Sequence, residues 1–198
     1  MELYFKEPSK EARNAMCDAV NQVKSKNELT KAAEKSVCNS TNHKHSKIVN
    51  SGNSAILTAM SNCKGKIMVP DQGGWSGFIK IAQFLGLDVT YLPTDWGLID
   101  LQILKETLQN EKPEALFLTS FAGYTAEQPI NEIYEICSEE DVFMVEDASG
   151  ALSDDEGRLA NGTHSHVIVA STGSPKIVNV GNGGFISSNQ KEFLDNKY

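Results

Sequence analysis

The chain has 198 residues, of which 40% are hydrophobic and 22% charged, with a net charge of −8 at neutral pH. This composition suits one folded domain with a sizeable core and argues against intrinsic disorder. The excess of acidic side chains argues against a nucleic-acid partner, and no apolar run approaches the roughly 18 residues that a membrane span requires.

The cysteines and histidines indicate neither a disulfide framework nor a metal site. The four cysteines, at positions 17, 38, 63 and 137, lie far apart without a C-x-x-C spacing. The HKH and HSH triplets at 43–45 and 164–166 have no Cys or carboxylate nearby at ligand spacing. The N-terminal stretch MELYFKEPSKEARN lacks the apolar segment of a secretion signal. We therefore expect a reduced, cytoplasmic protein without a bound metal.

The N-terminal part of the chain is predicted to be helical over residues 9–38. Small apolar residues from Ala12 to Val23 recur at helical spacing, and Ser9 can serve as the N-cap. We therefore divide the chain into an N-terminal helical segment, residues 1–45, and a main domain, residues 46–198.

From residue 48 onward, short β-rich runs alternate with helical stretches. The seven runs are IVNS, KIMVP, DVTYLP, ALFLTS, VFMVED, HVIVAS and GGFISS. The helical stretches between most of them are SAILTAMSN, SGFIKIAQFLG, DLQILKETLQN and INEIYEICSEE. This alternation predicts an α/β fold in three layers, with a mostly parallel seven-stranded sheet between helices. Because no helix separates the last two runs, the final strand is expected to pair antiparallel.

Residues that could take part in binding or catalysis follow the strands, where open α/β sheets bind their ligands. The turn SGNS after the first strand starts a helix, so its free amides could bind a phosphate, although a simple capped turn looks the same. In VFMVEDASGA, strand alternation points Glu146 and Asp147 to opposite sides. Small residues after Asp147 leave room for a flat ring, but an aspartate also caps turns here.

A single lysine, Lys176, stands in the stretch VIVASTGSPKIVNVGNGGFISS. A lone loop lysine is usually solvated, whereas one in a partly dehydrated pocket can form a Schiff base. Along the chain, the helix start, Trp75, Asp147 and Lys176 each lie at or after the end of a predicted strand. Together they provide the groups expected in a pocket for pyridoxal 5′-phosphate. The helix would take the phosphate, the indole would stack on the ring, and the aspartate would keep the pyridine nitrogen protonated.

These stretches resemble fold-type I pyridoxal-phosphate enzymes, and in particular the DegT/DnrJ/StrS-type aminotransferases, many of which act on nucleotide-linked keto-sugars. SGNSAIL is similar to the S-G-T-x-A-L turn of that family. FAGYTAEQPINEIYEICSEEDVFMVEDAS resembles its H-x-x-G-x-P-x-x-x-x-x-I…E-D-A-A stretch, and STGSPKIVNVGNGGFI its S-F-H-x-x-K…G-E-G-G block. The resemblance implies the seven-stranded large domain of that fold.

The resemblance also implies a phosphate site. Gly52, Asn53 and Ser54 would hold the phosphate, and Ser171 would add a hydroxyl. Asn53 stands where the family usually has threonine.

For the ring of the cofactor, the resemblance implies four further roles. Trp75 would stack on one face, and Ser149 would pack beneath the ring. Asp147 would pair with the pyridine nitrogen, and Lys176, 29 residues later, would form the Schiff base and move protons. Gly173 replaces a family histidine three residues before this lysine.

The implied function is an aminotransferase that moves an amino group from an amino-acid donor to a keto acceptor. Family members form dimers with active sites at the subunit boundary, so a homodimer is expected. They also continue into a smaller C-terminal domain that is missing here, so we expect a shortened chain or a separate chain that supplies it.

The residues leave two alternatives open: another pyridoxal-phosphate reaction, such as desulfuration or selenocysteine-synthase-like elimination, and a non-catalytic subunit. An NAD site is disfavoured because GNGG precedes a strand and no G-x-G-x-x-G is present.

Overall fold

The computed structural model describes residues 9–21, 25–121, 128–151 and 159–195. Residues 1–8 of the N-terminal segment and residues 122–127 of the FAGYTAEQPI motif lie outside these ranges. The helices within them are α1 Lys10–Asn21, α2 Lys26–Thr41, α3 Gly52–Met60, α4 Gly77–Leu85, α5 Leu101–Glu111, α6 Ile130–Glu139 and a final 3₁₀ helix Lys191–Leu194. The strands are β1 His45–Val49, β2 Lys66–Pro70, β3 Asp88–Leu92, β4 Ala115–Phe121, β5 Phe143–Gly150, β6 Val167–Ser171 and β7 Gly184–Ser188. None of the helices in the described ranges is long and apolar enough to cross a lipid bilayer.

The seven strands form one mixed sheet in the order β1-β7-β6-β5-β4-β2-β3. The pairs β2–β3, β2–β4, β4–β5 and β5–β6 are parallel. Strand β7 runs antiparallel to both of its neighbours, β6 and β1. The mostly parallel sheet and the antiparallel final strand are therefore confirmed.

Both faces of the sheet are covered by helices, as predicted. On one face, Phe78 of α4 packs against Phe117 of β4 with ring centroids 5.6 Å apart. On the other, Leu116 of β4 packs with Ile133 of α6. Each fully buried side chain of this size contributes about 1.5–3 kcal/mol of hydrophobic stabilisation. Because neighbouring residues of one strand enter opposite clusters, the sheet is the middle of three layers.

The helical stretch predicted over residues 9–38 comprises two helices. Ser9 caps α1, since its Oγ accepts a hydrogen bond from the amide of Ala12 at 3.1 Å. A second start follows at Ser25, whose Oγ accepts from the Glu28 amide while the Glu28 carboxylate accepts from the Ser25 amide. This capping box begins α2 independently of α1. The division into residues 1–45 and 46–198 stays a prediction.

Candidate functional site

A cavity of about 400 Å³ opens where β4, β5 and β6 end and α3 begins. Parallel strands end at the same edge of a sheet, so the residues that follow them meet there. Seven of the predicted site residues line this cavity: Gly52, Asn53, Trp75, Asp147, Ser149, Ser171 and Lys176. Four further lining residues were not among the predicted site residues: Ser51, Ile56, Thr119 and Gly150. Ser51 occupies an N-cap position and Thr119 lies near the end of a strand, so the sequence could have indicated both as site residues.

The start of α3 forms one wall of the cavity. Ser51 is the N-cap, and its Oγ accepts a hydrogen bond from the Ser54 amide at 3.1 Å and lies 3.0 Å from the Ser54 hydroxyl. Ser54 is therefore engaged in the cap, behind the residues that line the cavity. A Cβ at Gly52 would lie 2.8 Å from Cβ of Ser171, so only glycine lets the helix start approach the end of β6. The amides at this helix start attract an anion.

Asp147 presents one carboxylate oxygen to the cavity. Its Oδ1 accepts two hydrogen bonds from Ser149, from the amide at 3.0 Å and from the hydroxyl at 2.6 Å. No described residue donates a hydrogen bond to Oδ2. Burial raises the pKa of Asp147, whereas the two bonds from Ser149 and the charge of Lys176 lower it. The carboxylate is thus fixed at one oxygen, and the other can accept from a donor in the cavity.

Lys176 reaches the cavity from the loop between β6 and β7. Its amide donates to the Gly173 carbonyl at 2.9 Å, and the base of the loop is closed by the Thr172 amide, which donates to the Gly183 carbonyl at 3.0 Å. Gly183 has a φ of 99°, in the left-handed region that favours glycine. The loop therefore leaves β6, presents a half-buried lysine beside Asp147, and turns back into β7.

The indole of Trp75 is held at the cavity wall by two neighbours. Its Nε1–H donates to Oδ1 of Asn53 at 3.2 Å, and its backbone amide donates to Oγ1 of Thr119 at 3.2 Å. A Cβ at Gly77 would overlap the indole ring in this position, so the ring lies directly against the backbone of Gly77. With 47% of Trp75 exposed, the ring remains available for stacking. The side-chain oxygen of Asn53 is used to hold this ring.

The neighbouring carboxylate, Glu146, points away from the cavity, as strand alternation predicts. It is fully buried and accepts hydrogen bonds from the hydroxyls of Ser120 at 2.7 Å and Ser165 at 2.5 Å, and from the amide of Ala160 at 2.8 Å. Burial raises its pKa and these three bonds lower it. Glu146 is therefore part of the core, and Asp147 is the carboxylate that can act on a ligand.

The four cysteines all lie in the part of the chain that the structure describes, and none lines the cavity. Burial raises the pKa of Cys63 and of Cys137 to about 12. Both thiols are therefore poor nucleophiles at neutral pH.

A model of the DegT/DnrJ/EryC1/StrS aminotransferase family matches residues 7–197. The chain therefore belongs to this family, as its motifs predict.

Solved structures share the fold. Helicobacter pylori PseC, an aminotransferase involved in the biosynthesis of pseudoaminic acid, superposes with a TM-score of 0.80 at 21% identity, over 98% of this chain and 54% of PseC. The aminotransferase from Psychrobacter cryohalolentis gives a TM-score of 0.77 at 17% identity, over 97% of this chain and 50% of its own. This chain thus spans about half the length of these proteins.

A shorter stretch of the chain is similar to a cysteine desulfurase. The mitochondrial cysteine desulfurase of Drosophila melanogaster is 40% identical over 68 residues, which cover 34% of this chain and 15% of that protein.

Proposed function

We propose that this chain is the cofactor-binding part of a pyridoxal-phosphate-dependent aminotransferase, which moves an amino group from an amino-acid donor to a keto acceptor. The observation that carries the proposal is the meeting of Lys176, Asp147 and the start of α3 at one cavity, in a chain of this family. These three elements come from separate parts of the sequence, and their meeting there is what this cofactor requires.

The donors and acceptors around the cavity suit pyridoxal phosphate. The close approach of Gly52 to Ser171 places helix amides, and the hydroxyl of Ser51, where a phosphate can bind. The unengaged oxygen of Asp147 is the acceptor that a protonated pyridine nitrogen needs. The exposed face of Trp75 provides a flat apolar surface for the ring.

When bound, the cofactor supplies an electron sink that stabilises negative charge at the α-carbon of the substrate. Asp147 would hold the proton on the ring nitrogen through Oδ2. Lys176 would hold the aldehyde carbon through Nζ, with release of water, and as a free amine it would take and return the proton at the substrate carbon. The start of α3 would anchor the phosphate, and Trp75 would fix the plane of the ring.

A nucleotide-linked keto-sugar is the acceptor class that we propose, supported by the family and by the likeness to PseC, an aminotransferase involved in the biosynthesis of pseudoaminic acid. We also propose a cytoplasmic homodimer, since exposed apolar side chains at Met16, Val20, Ile177 and Val180 favour association. A separate chain could supply the half that the longer relatives contain.

Borohydride reduction tests the cofactor site directly. The purified chain is mixed with pyridoxal phosphate, reduced, digested and mapped by mass spectrometry. We expect one pyridoxyl group, on the peptide that contains Lys176. The label should be lost in Lys176→Ala and kept in Lys80→Ala, which removes an exposed lysine of α4. Labelling spread over surface lysines, or none at Lys176, would refute the proposal.

A cysteine-desulfurase-like reaction is the second candidate, favoured by the 68-residue match. The placement of the cysteines argues against it, because none lines the cavity. The loaded chain is therefore treated with glutamate or with cysteine. We expect glutamate to yield 2-oxoglutarate in proportion to the cofactor, and cysteine, with dithiothreitol present as reductant, to yield no sulfide. Sulfide release would favour the second candidate, and binding without either product would favour a non-catalytic subunit.

A further inference from the structure

We propose that Ser149 is a positioning residue that fixes the orientation and the ionisation of Asp147, through a hydrogen-bonded chain that starts at the backbone of β6. The chain runs from the amide of Ser171 to Oγ of Ser149 at 2.7 Å, and from that hydroxyl to Oδ1 of Asp147 at 2.6 Å. The contribution to catalysis rests on the proposed function, whereas the hydrogen bonds do not.

The direction of each hydrogen bond is determined by the chemistry of the groups. An amide can only donate, so the Ser171 N–H occupies an acceptor position of the Ser149 oxygen. The hydroxyl proton is then left for Asp147, whose ionised carboxylate can only accept. A donor polarised in this way holds the carboxylate more firmly than an isolated hydroxyl would.

The same two bonds determine which oxygen faces the ligand. Because the amide and the hydroxyl of Ser149 both meet Oδ1, rotation of the carboxylate would break both. Oδ2 is therefore held toward the cavity.

Ser149 also counteracts the effect of burial on Asp147. The charged groups that act on Asp147 are Lys176, across the cavity, and Glu146, the preceding residue on β5. Burial opposes the ionised form of Asp147, and the hydroxyl of Ser149 favours it. An ionised Asp147 is the form that keeps a proton on a ring nitrogen.

This role differs from the one that the sequence implied for Ser149, which was packing beneath the ring. Ser149 stands at the last position of the stretch that resembles E-D-A-A, where that motif has alanine. An alanine therefore suits the backbone there, and Ser149→Ala removes the hydroxyl without an expected change of fold. Ser171→Ala is the matched control, because it removes a hydroxyl of the same cavity but keeps the amide that donates to Ser149.

The test is a ¹³C NMR titration of aspartate carboxyl groups in the cofactor-free chain, with Asp147 assigned by the signal that Asp147→Asn removes. Because Ser149→Ala removes a hydrogen bond to the ionised carboxylate, Asp147 should bind a proton at least about tenfold more tightly in this variant. Ser171→Ala should leave the titration unchanged, and Ser149→Thr, which restores a hydroxyl, should return it toward that of the natural chain.

An unchanged titration in Ser149→Ala, or an equal shift in Ser171→Ala, would overturn the inference. Binding of pyridoxal phosphate is measured on the same samples. If the titration of Asp147 shifts as expected in Ser149→Ala but the natural protein does not bind the cofactor, the role of Ser149 stands and the proposed function fails. If the cofactor binds at Lys176 and the titration of Asp147 does not shift in Ser149→Ala, the proposed function stands and the role of Ser149 fails.

Discussion

The buried histidine His43 should make the stability of this protein fall as the pH is lowered. Its side chain is only 3% exposed, with Nδ1 2.9 Å from Oγ of Ser187 and Nε2 3.0 Å from the carbonyl oxygen of Ser165. A carbonyl can only accept, so Nε2 carries the proton and Nδ1 accepts from the serine. A Cβ at Gly162 would overlap the ring, which shows how closely the chain surrounds it.

Burial is the main cause that lowers the pKa of His43 from 6.5 to about 4. The unfolded chain therefore binds a proton more readily than the folded one between these two values. The contribution of the neutral His43 to the free energy of unfolding is fully present above about pH 6.5, is lost as the pH falls toward 4, and changes no further below that. Between about pH 8 and about pH 5 the loss from this residue amounts to about 2 kcal/mol.

The assay is urea unfolding of the natural chain and of His43→Gln at a series of pH values. Glu146 and Asp147 have pKa values raised by burial, so they stabilise the fold as the pH falls and oppose His43. They are common to both proteins, and the difference between the two curves isolates the histidine. The unfolding free energy of the natural chain minus that of His43→Gln should decrease by about 2 kcal/mol from pH 8 to pH 5.

A constant difference, within about 0.5 kcal/mol, would refute the assignment of a neutral buried His43. The same substitution at His45, a half-buried histidine on β1, controls for the loss of any histidine. It should leave most of the pH dependence in place.

Two further substitutions test the packing of the site and of the core beneath it. Gly52→Ala places a methyl group against Cβ and the backbone of Ser171, so we expect a loss of about 1–3 kcal/mol in urea unfolding and at least about tenfold weaker binding of pyridoxal phosphate. Unchanged affinity would show that the phosphate does not lie at this junction. Ser165→Ala removes one donor to Glu146, which should cost about 1.5–3 kcal/mol of unfolding free energy. A cost below about 0.5 kcal/mol would indicate that Glu146 does not depend on this hydroxyl.

Much of the fold could be predicted because buried parallel strands are continuous apolar runs and amphipathic helices separate them. The limits of the edge and bulged strands could not. Strand β1 covers His45–Val49, although the apolar signal suggested 48–51, because the first three residues of this edge strand, HSK, are polar and give no apolar signal. Strand β5 continues to Gly150 past a register shift against β4, between Thr119 and Phe121. Such a shift depends on the partner strand and leaves no local pattern.

For the candidate site too, the sequence predicts some features and not others. Asp147 and Lys176 could be predicted because each has a characteristic residue type, Asp147 near the carboxyl end of a strand and Lys176 in the loop after one. The contact between Asn53 and Trp75 joins residues 22 positions apart, and the sequence suggested phosphate binding for Asn53 instead. The hydroxyl of Ser149 was equally hidden, since a small residue after an aspartate indicates only that space is available.

Ser171, a small polar residue at the end of β6, connects the parts of this site. Its amide donates to Ser149 and so reaches Asp147, at the proposed ring-nitrogen end. Its Cβ limits how closely Gly52 and the anion-binding helix start can approach. Its Oγ accepts a hydrogen bond from the Gly173 amide at 3.3 Å, at the beginning of the loop that carries Lys176. Because one residue at the end of β6 contacts the helix start, Ser149 and Gly173, the sheet fixes the relative positions of the proposed phosphate site, the Asp147 carboxylate and the base of the lysine loop.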